Sequence, residues 1–261
     1  MDRLSGKTAL VTGSTRGIGR VIAERLADEG ASLIVTGRQV AAVTNVVEAL
    51  DASDRRVFGI AADLSRPEEA HRLAREALLV APDLDILVNN AGMSIREPFW
   101  QVSDARWEEQ VNINWRSPFI LAQHVARQMI ERGVRGRMVH TSTIGAHHNH
   151  ADAAVYDSAK AAVEAMTRNM AWELGPYGIA VNCVVPGPIG DRPGASEPRA
   201  LWEGIAPFVP VGRVGSGRDV AEAVLFFCLP ETAFITGQTL GIDGGYGAGL
   251  PENYPVVAPT P

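Results

Sequence analysis

The sequence is nearly empty of lysine: of 24 basic side chains only Lys7 and Lys160 are lysines, and the other 22 are arginines. Cysteine is as scarce. Cys183 and Cys228 stand alone in apolar settings, VNCVV and LFFCL, which points to buried thiols in a reducing compartment rather than to a disulfide framework. A formal net charge of −6 leaves no basic face for nucleic acid. No apolar run is long enough to span a membrane. The start lacks a basic segment followed by an apolar one, and the first strand-like run, KTALVT, begins at residue 7. That leaves no room for a signal peptide, so a cytoplasmic protein without a membrane partner is expected. Mid-chain linkers, repeats and low-complexity segments are missing as well. The 46% of apolar residues is therefore expected to build one domain over residues 1–249. Residues 250–261, rich in proline, are expected to form an extended tail.

What is present is a regular alternation. Strand-like runs at 7–12, 32–36, 57–61, 84–88, 136–141, 179–185 and 239–242 are separated by segments of helical spacing, notably 40–50, 66–80, 104–131, 154–175 and 219–229. Strands alternating with helix-length connections predict an α/β fold, a doubly wound parallel sheet with helices on both faces. Ligands bind such sheets outside the carboxyl ends of the strands. The marked residues all fall there: Gly13, Gly17 and Gly19 after the first strand, Asp63 after the third, residues 89–92 after the fourth, Thr143 after the fifth and Pro186 to Ile189 after the sixth.

The first of these, TGSTRGIGR, lies between a strand and a helix, where glycines let backbone amides approach a pyrophosphate at a helix N-terminus. The stretch TSTIGAHHNHADAAVYDSAK carries the chemistry. Tyr156 and Lys160 are four apart and share one helix face. A nearby ammonium brings the phenol pKa down toward the working range. Thr143, thirteen residues upstream, adds a hydroxyl. That one of only two lysines stands here suits a site needing a tunable point charge instead of a planar fork. His147, His148 and His150 lack the further ligands a zinc site requires, so no metal is expected, and polar contact with substrate is expected of one or two of them. Residues 186–210, rich in proline and glycine, read as a long substrate loop with Trp202 and Phe208 in a lid.

Together these residues resemble the short-chain dehydrogenase/reductase family over roughly residues 5–246. The resemblance rests on TGSTRGIG (12–19), NNAG (89–92), Tyr156-x-x-x-Lys160, PG (186–187) and IDGG (242–245). It implies a Rossmann-type sheet of about seven strands and a homotetramer, or a homodimer, packed through the two long helices. It implies catalytic roles for Asn114, Thr143 or Ser142, Tyr156 and Lys160, with Asn114 holding a proton-relay water. A cofactor would be held by Gly13, Ser14, Thr15, Arg16, Gly17, Ile18, Gly19, Arg38, Asp63, Leu64, Asn90, Ala91, Gly92, Pro186, Gly187 and Ile189, together with Tyr156 and Lys160. The threonine that the family carries five residues after its proline is replaced by Asp191, which accepts but does not donate a hydrogen bond.

The second strand ends at Thr36 and is followed by Gly37, where an acid would hold the ribose of NAD(H). Arg38 and Arg16 suit a phosphate instead. NADP(H) is the expected cofactor, with NAD(H) the second choice. The expected activity is interconversion of a secondary alcohol and a ketone on a small polar molecule such as a sugar, polyol or cyclic ketone. The alternative from another class is a catalytically idle dinucleotide sensor.

Overall fold

Alternate residues of each strand serve opposite faces of a sheet, and the core follows that rule. On β1 (Thr8–Val11), Ala9 and Val11 pack on one side while Leu10 faces the other; on β4 (Ile86–Asn89), Ile86 and Val88 oppose Leu87 in the same way. The computed structural model describes residues 2–51, 55–191 and 199–249. The expected tail 250–261 and the middle of the expected substrate loop, 192–198, lie outside them.

The remaining strands are β2 (Ser32–Gly37), β3 (Val57–Ala61), β5 (Arg137–Thr141), β6 (Ala180–Pro186), β7 (Ile189–Asp191), β8 (Gly215–Ser216) and β9 (Thr239–Ile242). Seven of the nine form one sheet in the order β3-β2-β1-β4-β5-β6-β9, every neighbouring pair parallel. Strands β7 and β8 pair separately. Helices α1 (Gly17–Ala27), α2 (Val40–Leu50) and α9 (Gly217–Cys228) cover one face, burying Ile22, Leu26, Val43 and Val224. Helices α3 (Pro67–Val80), α5 (Ser117–Arg132) and α7 (Ala154–Leu174) cover the other through Leu73, Leu121 and Leu174. Strands sealed on both faces read as continuous apolar runs, which is why they are legible in the sequence. Cys183 and Cys228 are free and buried.

Two expectations are corrected. Residues 104–131 are not one regular helix: α4 (Asp104–Val111) passes through a wide π turn at Asn112–Arg116 into α5. Pro118 has no N–H to offer the carbonyl four residues back, that of Asn114, and the backbone widens so that Ser117 N–H reaches Asn112 O. Nor is 186–210 a bare loop. It contains β7, the short helix α8 (Arg199–Ile205) and a 3-10 turn at Ala206–Phe208. Trp202 of α8 lies on Gly190, where a Cβ would come within 2.8 Å of the indole.

Candidate active site

The strand order reverses between β1 and β4, and ligands bind at such switch points. A cavity of about 930 Å³ opens there. Its wall contains Gly13, Thr15, Arg16, Gly17, Ile18 and Gly19 from the turn, Gly37 and Arg38 past β2, Leu64 past β3, and Asn90, Ala91 and Gly92 past β4. The turn is built for close approach. Gly13 has φ +66°, and a Cβ on it would stand 3.0 Å from Ala91 Cα. Gly17 has φ +60° with nothing within 4 Å of a Cβ, so its backbone faces open space. Thr12 fastens the turn to β4: its hydroxyl accepts from the N–H groups of Asn90 and Ala91, each at 2.9 Å. Arg16 and Arg38 are exposed and form no ion pair among the described residues.

Not every residue expected at the cofactor faces this cavity. The Ser14 side chain is buried and turned inward, donating to Val11 O at 2.8 Å and accepting from Thr36 N–H at 2.9 Å. It locks β1 to β2. Asp63 accepts from the N–H and hydroxyl of Ser65, at 3.2 and 2.8 Å, so one carboxylate oxygen is committed to a turn. Ile189 is buried in the core, which leaves its backbone alone to meet a ligand. Pro186 ends β6, and Gly187 N–H donates to Ile242 O at 3.0 Å; a Cβ at 187 would lie 2.5 Å from Asp243 Cβ. Asp191 closes β7 opposite Ser216.

The groups expected to react adjoin the cavity at Gly92. Lys160, one turn past Tyr156 on α7, is buried, and its Nζ donates to Thr141 O at 2.8 Å while lying 6.0 Å from the centre of the Tyr156 ring. Burial lowers the Lys160 ammonium to about 8. Tyr156 is half-buried, and burial pushes its phenol above the ordinary value, opposed by a hydrogen bond with the Thr143 side chain. This differs from the expectation that Lys160 brings the phenol down: the ammonium is held by the Thr141 carbonyl, and burial dominates.

The two hydroxyl candidates separate. Ser142 Oγ donates to Glu164 Oε1 at 2.6 Å and lies 3.2 Å from Lys160 O, beneath α7 and away from the phenol. Thr143 is the one of the two whose side chain favours ionisation of the Tyr156 phenol, and its Oγ1 accepts from Gly145 N–H at 3.3 Å. Asn114, fully buried in the π turn, donates through Nδ2 to Met93 O (2.7 Å) and Gln110 O (2.9 Å) and accepts from Met93 N–H (3.1 Å). Gly92 joins the parts, because a Cβ there would stand 2.9 Å from Asn114 Oδ1 and 3.2 Å from Lys160 Nζ.

The histidines of the short helix α6 (Gly145–His148) and the loop after it, expected to offer one or two polar contacts to substrate, have partners within the protein. His147 Nε2 lies 3.1 Å from Glu164, His148 Nε2 3.2 Å from Gly247 O, and His150 holds Asp157 through its backbone N–H (2.7 Å) and Nδ1 (2.9 Å). Glu164, Gln110 and Pro118 support the site without having been singled out in the sequence. Glu164 stands one turn beyond Lys160, and that spacing was the only signal available.

The chain matches the family described as enoyl-(acyl carrier protein) reductase over residues 13–247. It is 34% identical over 244 residues to a 3-oxoacyl-[acyl-carrier-protein] reductase of Aquifex aeolicus, covering 93% of this chain and 98% of that protein. Among solved structures it resembles a blue fluorescent protein from a metagenomic library in complex with NADPH (TM-score 0.86, 33% identity, 94% and 99% of the two chains). It also resembles a structure named as an NAD(P)-dependent gluconate 5-dehydrogenase from Beutenbergia cavernae with bound NADP (TM-score 0.86, 31% identity, 94% and 98%).

Proposed function

The chain belongs to the short-chain dehydrogenase/reductase family and is an oxidoreductase acting on CH–OH and C=O groups; within that class we propose that it uses NADP(H) to interconvert a small, polar secondary alcohol and its ketone. The observation that carries this reading is the convergence of the Thr143 hydroxyl, the Tyr156 phenol and the buried Lys160 ammonium beside the glycine-walled cavity. A protein that only sensed a dinucleotide would have no use for that group.

The cavity suits a phosphorylated dinucleotide. Gly17 offers open backbone at the N-terminus of α1, which favours negative charge. Gly37 presents no carboxylate where one would repel a 2′-phosphate, and the Arg16 and Arg38 guanidinium groups stand on that wall without acidic partners among the described residues. When bound, such a cofactor supplies the hydride. The protein's own part is proton transfer and placement. Thr143 donates to the substrate oxygen and fixes it against the phenol. Tyr156, held protonated by burial, gives its proton to that oxygen in reduction and must first lose it for oxidation. Lys160 supplies the cation that stabilises the phenolate once formed and reaches the ribose hydroxyls. Asn114, beside Gly92 and Lys160, holds the relay water through which the proton is replaced.

We read the exposed Trp107, Trp115 and Phe119, on α4, the π turn and α5 beside a groove of about 390 Å³, as part of the surface through which a homodimer or homotetramer forms. Their charge-poor aromatic character supports it.

A panel of ketones and sugars with NADPH, followed by loss of nicotinamide absorbance, tests the function. Turnover of small polar ketones that vanishes in Tyr156→Phe is expected. Activity confined to carbon–carbon double bonds, the chemistry in the family's description, would overturn it.

A further inference from the structure

Past Gly92 the chain does not leave the site freely. Met93 is gripped through both its N–H and its carbonyl by Asn114. Ile95 N–H donates to the buried Gln110 side chain at 2.9 Å. Arg96 Nη1 donates to Ala151 O at 3.0 Å, and Glu97 N–H donates to Asp152 O at 2.9 Å. The segment 92–97 is thus a strap that begins against Lys160 and ends on the loop leading into Tyr156. Its backbone is fixed at Met93, Ile95 and Glu97, and the one cation it carries is anchored by its bond to Ala151 O.

That cation is underused. A guanidinium has five N–H donors, and Arg96 makes one hydrogen bond, to a carbonyl, with no carboxylate within ion-pair distance among the described residues. The buried acid nearest the phenol, Asp157, is already held by His150. Arg96 is exposed, its guanidinium is anchored on the loop that leads into Tyr156, and its positive charge favours the ionised phenol.

We infer that Arg96 is the specificity-determining residue of this site, and that the substrate is a small hydroxy or keto acid whose carboxylate pairs with the Arg96 guanidinium while its carbonyl meets Tyr156 and Thr143. The planar fork of arginine matches a carboxylate bidentately, which a lysine at this place would not do. A cation anchored on the loop that leads into Tyr156, and carried by a strap that starts against Lys160, stands near any carbonyl that the phenol protonates. The anion therefore belongs to the substrate itself and not to a distant carrier arm. This inference rests on the oxidoreductase reading above, whose substrate class it narrows.

The test uses levulinate and levulinamide, which differ only in the charge of the acid end. Binding of each to the enzyme with NADP⁺ is measured by calorimetry, where no turnover occurs, for the unmodified protein, Arg96→Gln and Arg96→Lys. Since Arg96 is exposed, both variants should fold, which a melting curve checks. Levulinate is expected to bind roughly ten- to a hundredfold more tightly than the amide, the range of one charge-assisted pair. Arg96→Gln should remove the difference and Arg96→Lys should keep part of it. Equal binding of acid and amide, or a preference that survives Arg96→Gln, overturns the inference. Reduction with NADPH separates the two claims. If neutral ketones are reduced without any advantage for their acid counterparts, the inference fails and the oxidoreductase stands. If no carbonyl compound is reduced, the proposed activity fails while the binding data still decide the role of Arg96.

Discussion

Gly37, at the end of β2, lies directly against Thr15 of the glycine turn: a Cβ at 37 would come 2.6 Å from Thr15 Cγ2 and 2.7 Å from its hydroxyl. Both residues line the cavity beside Arg38. An acid introduced at 37 to favour NAD(H) therefore meets a steric obstacle before any electrostatic effect. Gly37→Asp alone is expected to weaken both cofactors, because Thr15 must move. Thr15→Ala with Gly37→Asp leaves only a 3.2 Å contact to the Cβ of residue 15, and is expected to shift kcat/KM from NADPH toward NADH. Arg38→Ala should raise KM for NADPH by about tenfold or more, the loss of a charged hydrogen bond, and leave KM for NADH within about threefold under the same reasoning. An unmodified enzyme faster with NADH at subsaturating cofactor would reverse the assignment.

Ser142 and Thr143 are adjacent in sequence but serve different masters, and stability and activity should divide between them. Ser142→Ala leaves the buried Glu164 carboxylate without its 2.6 Å donor and should cost about 1–3 kcal/mol of stability, read from denaturant unfolding, with kcat largely kept. Thr143→Ala should leave the melting temperature near normal and cut kcat strongly, whereas Thr143→Ser should restore it. The opposite pattern would make Ser142 the active hydroxyl.

Tyr156→Phe removes the proton donor and leaves the ring to pack. Turnover is expected to fall by about 10²–10⁴, the usual share of acid–base catalysis, while the dissociation constant for NADPH changes little. Retention of more than about a tenth of the rate would put the proton elsewhere.

The pH dependence follows from Lys160. Burial lowers its pKa to about 8, so in the free enzyme the charged ammonium is complete below that pH and lost as pH rises through it. Cofactor binding to the ammonium raises its pKa in the complex. Affinity for NADPH should therefore be flat below about pH 8 and fall above it, by about tenfold per unit at most. Lys160→Arg, which stays charged, should flatten the curve. The phenol of Tyr156 is shifted upward, so it remains protonated in the same range and reduction should proceed at neutral pH, whereas oxidation should accelerate as the solution becomes alkaline. Fluorescence titration of NADPH and initial rates in both directions measure the two effects.

The sheet was legible in the chain because its strands are sealed on both faces and its helices repeat a single apolar stripe. The order of Gly13, Asn90 and Thr143 along the ends of those strands was legible for the same reason: each sits where a strand must stop. Local spacing also paired Tyr156 with Lys160, because residues one helical turn apart have no choice but to be neighbours. The choice between Ser142 and Thr143 was not available at that level, since adjacent residues of an extended segment point to opposite sides and what waits on each side, here Glu164 and Tyr156, comes from a distant helix. The same holds for the orientation of the Asn114 side chain, which is held by Met93 from beyond another strand end. The upward displacement of the Tyr156 pKa, the tight contact of Gly37 with Thr15 and the strap that carries Arg96 to the loop before Tyr156 all arise between segments distant in sequence. A pattern of residue types specifies which elements form and where they end. Which side chain is dry, crowded or left without a partner is decided only when those ends are brought together.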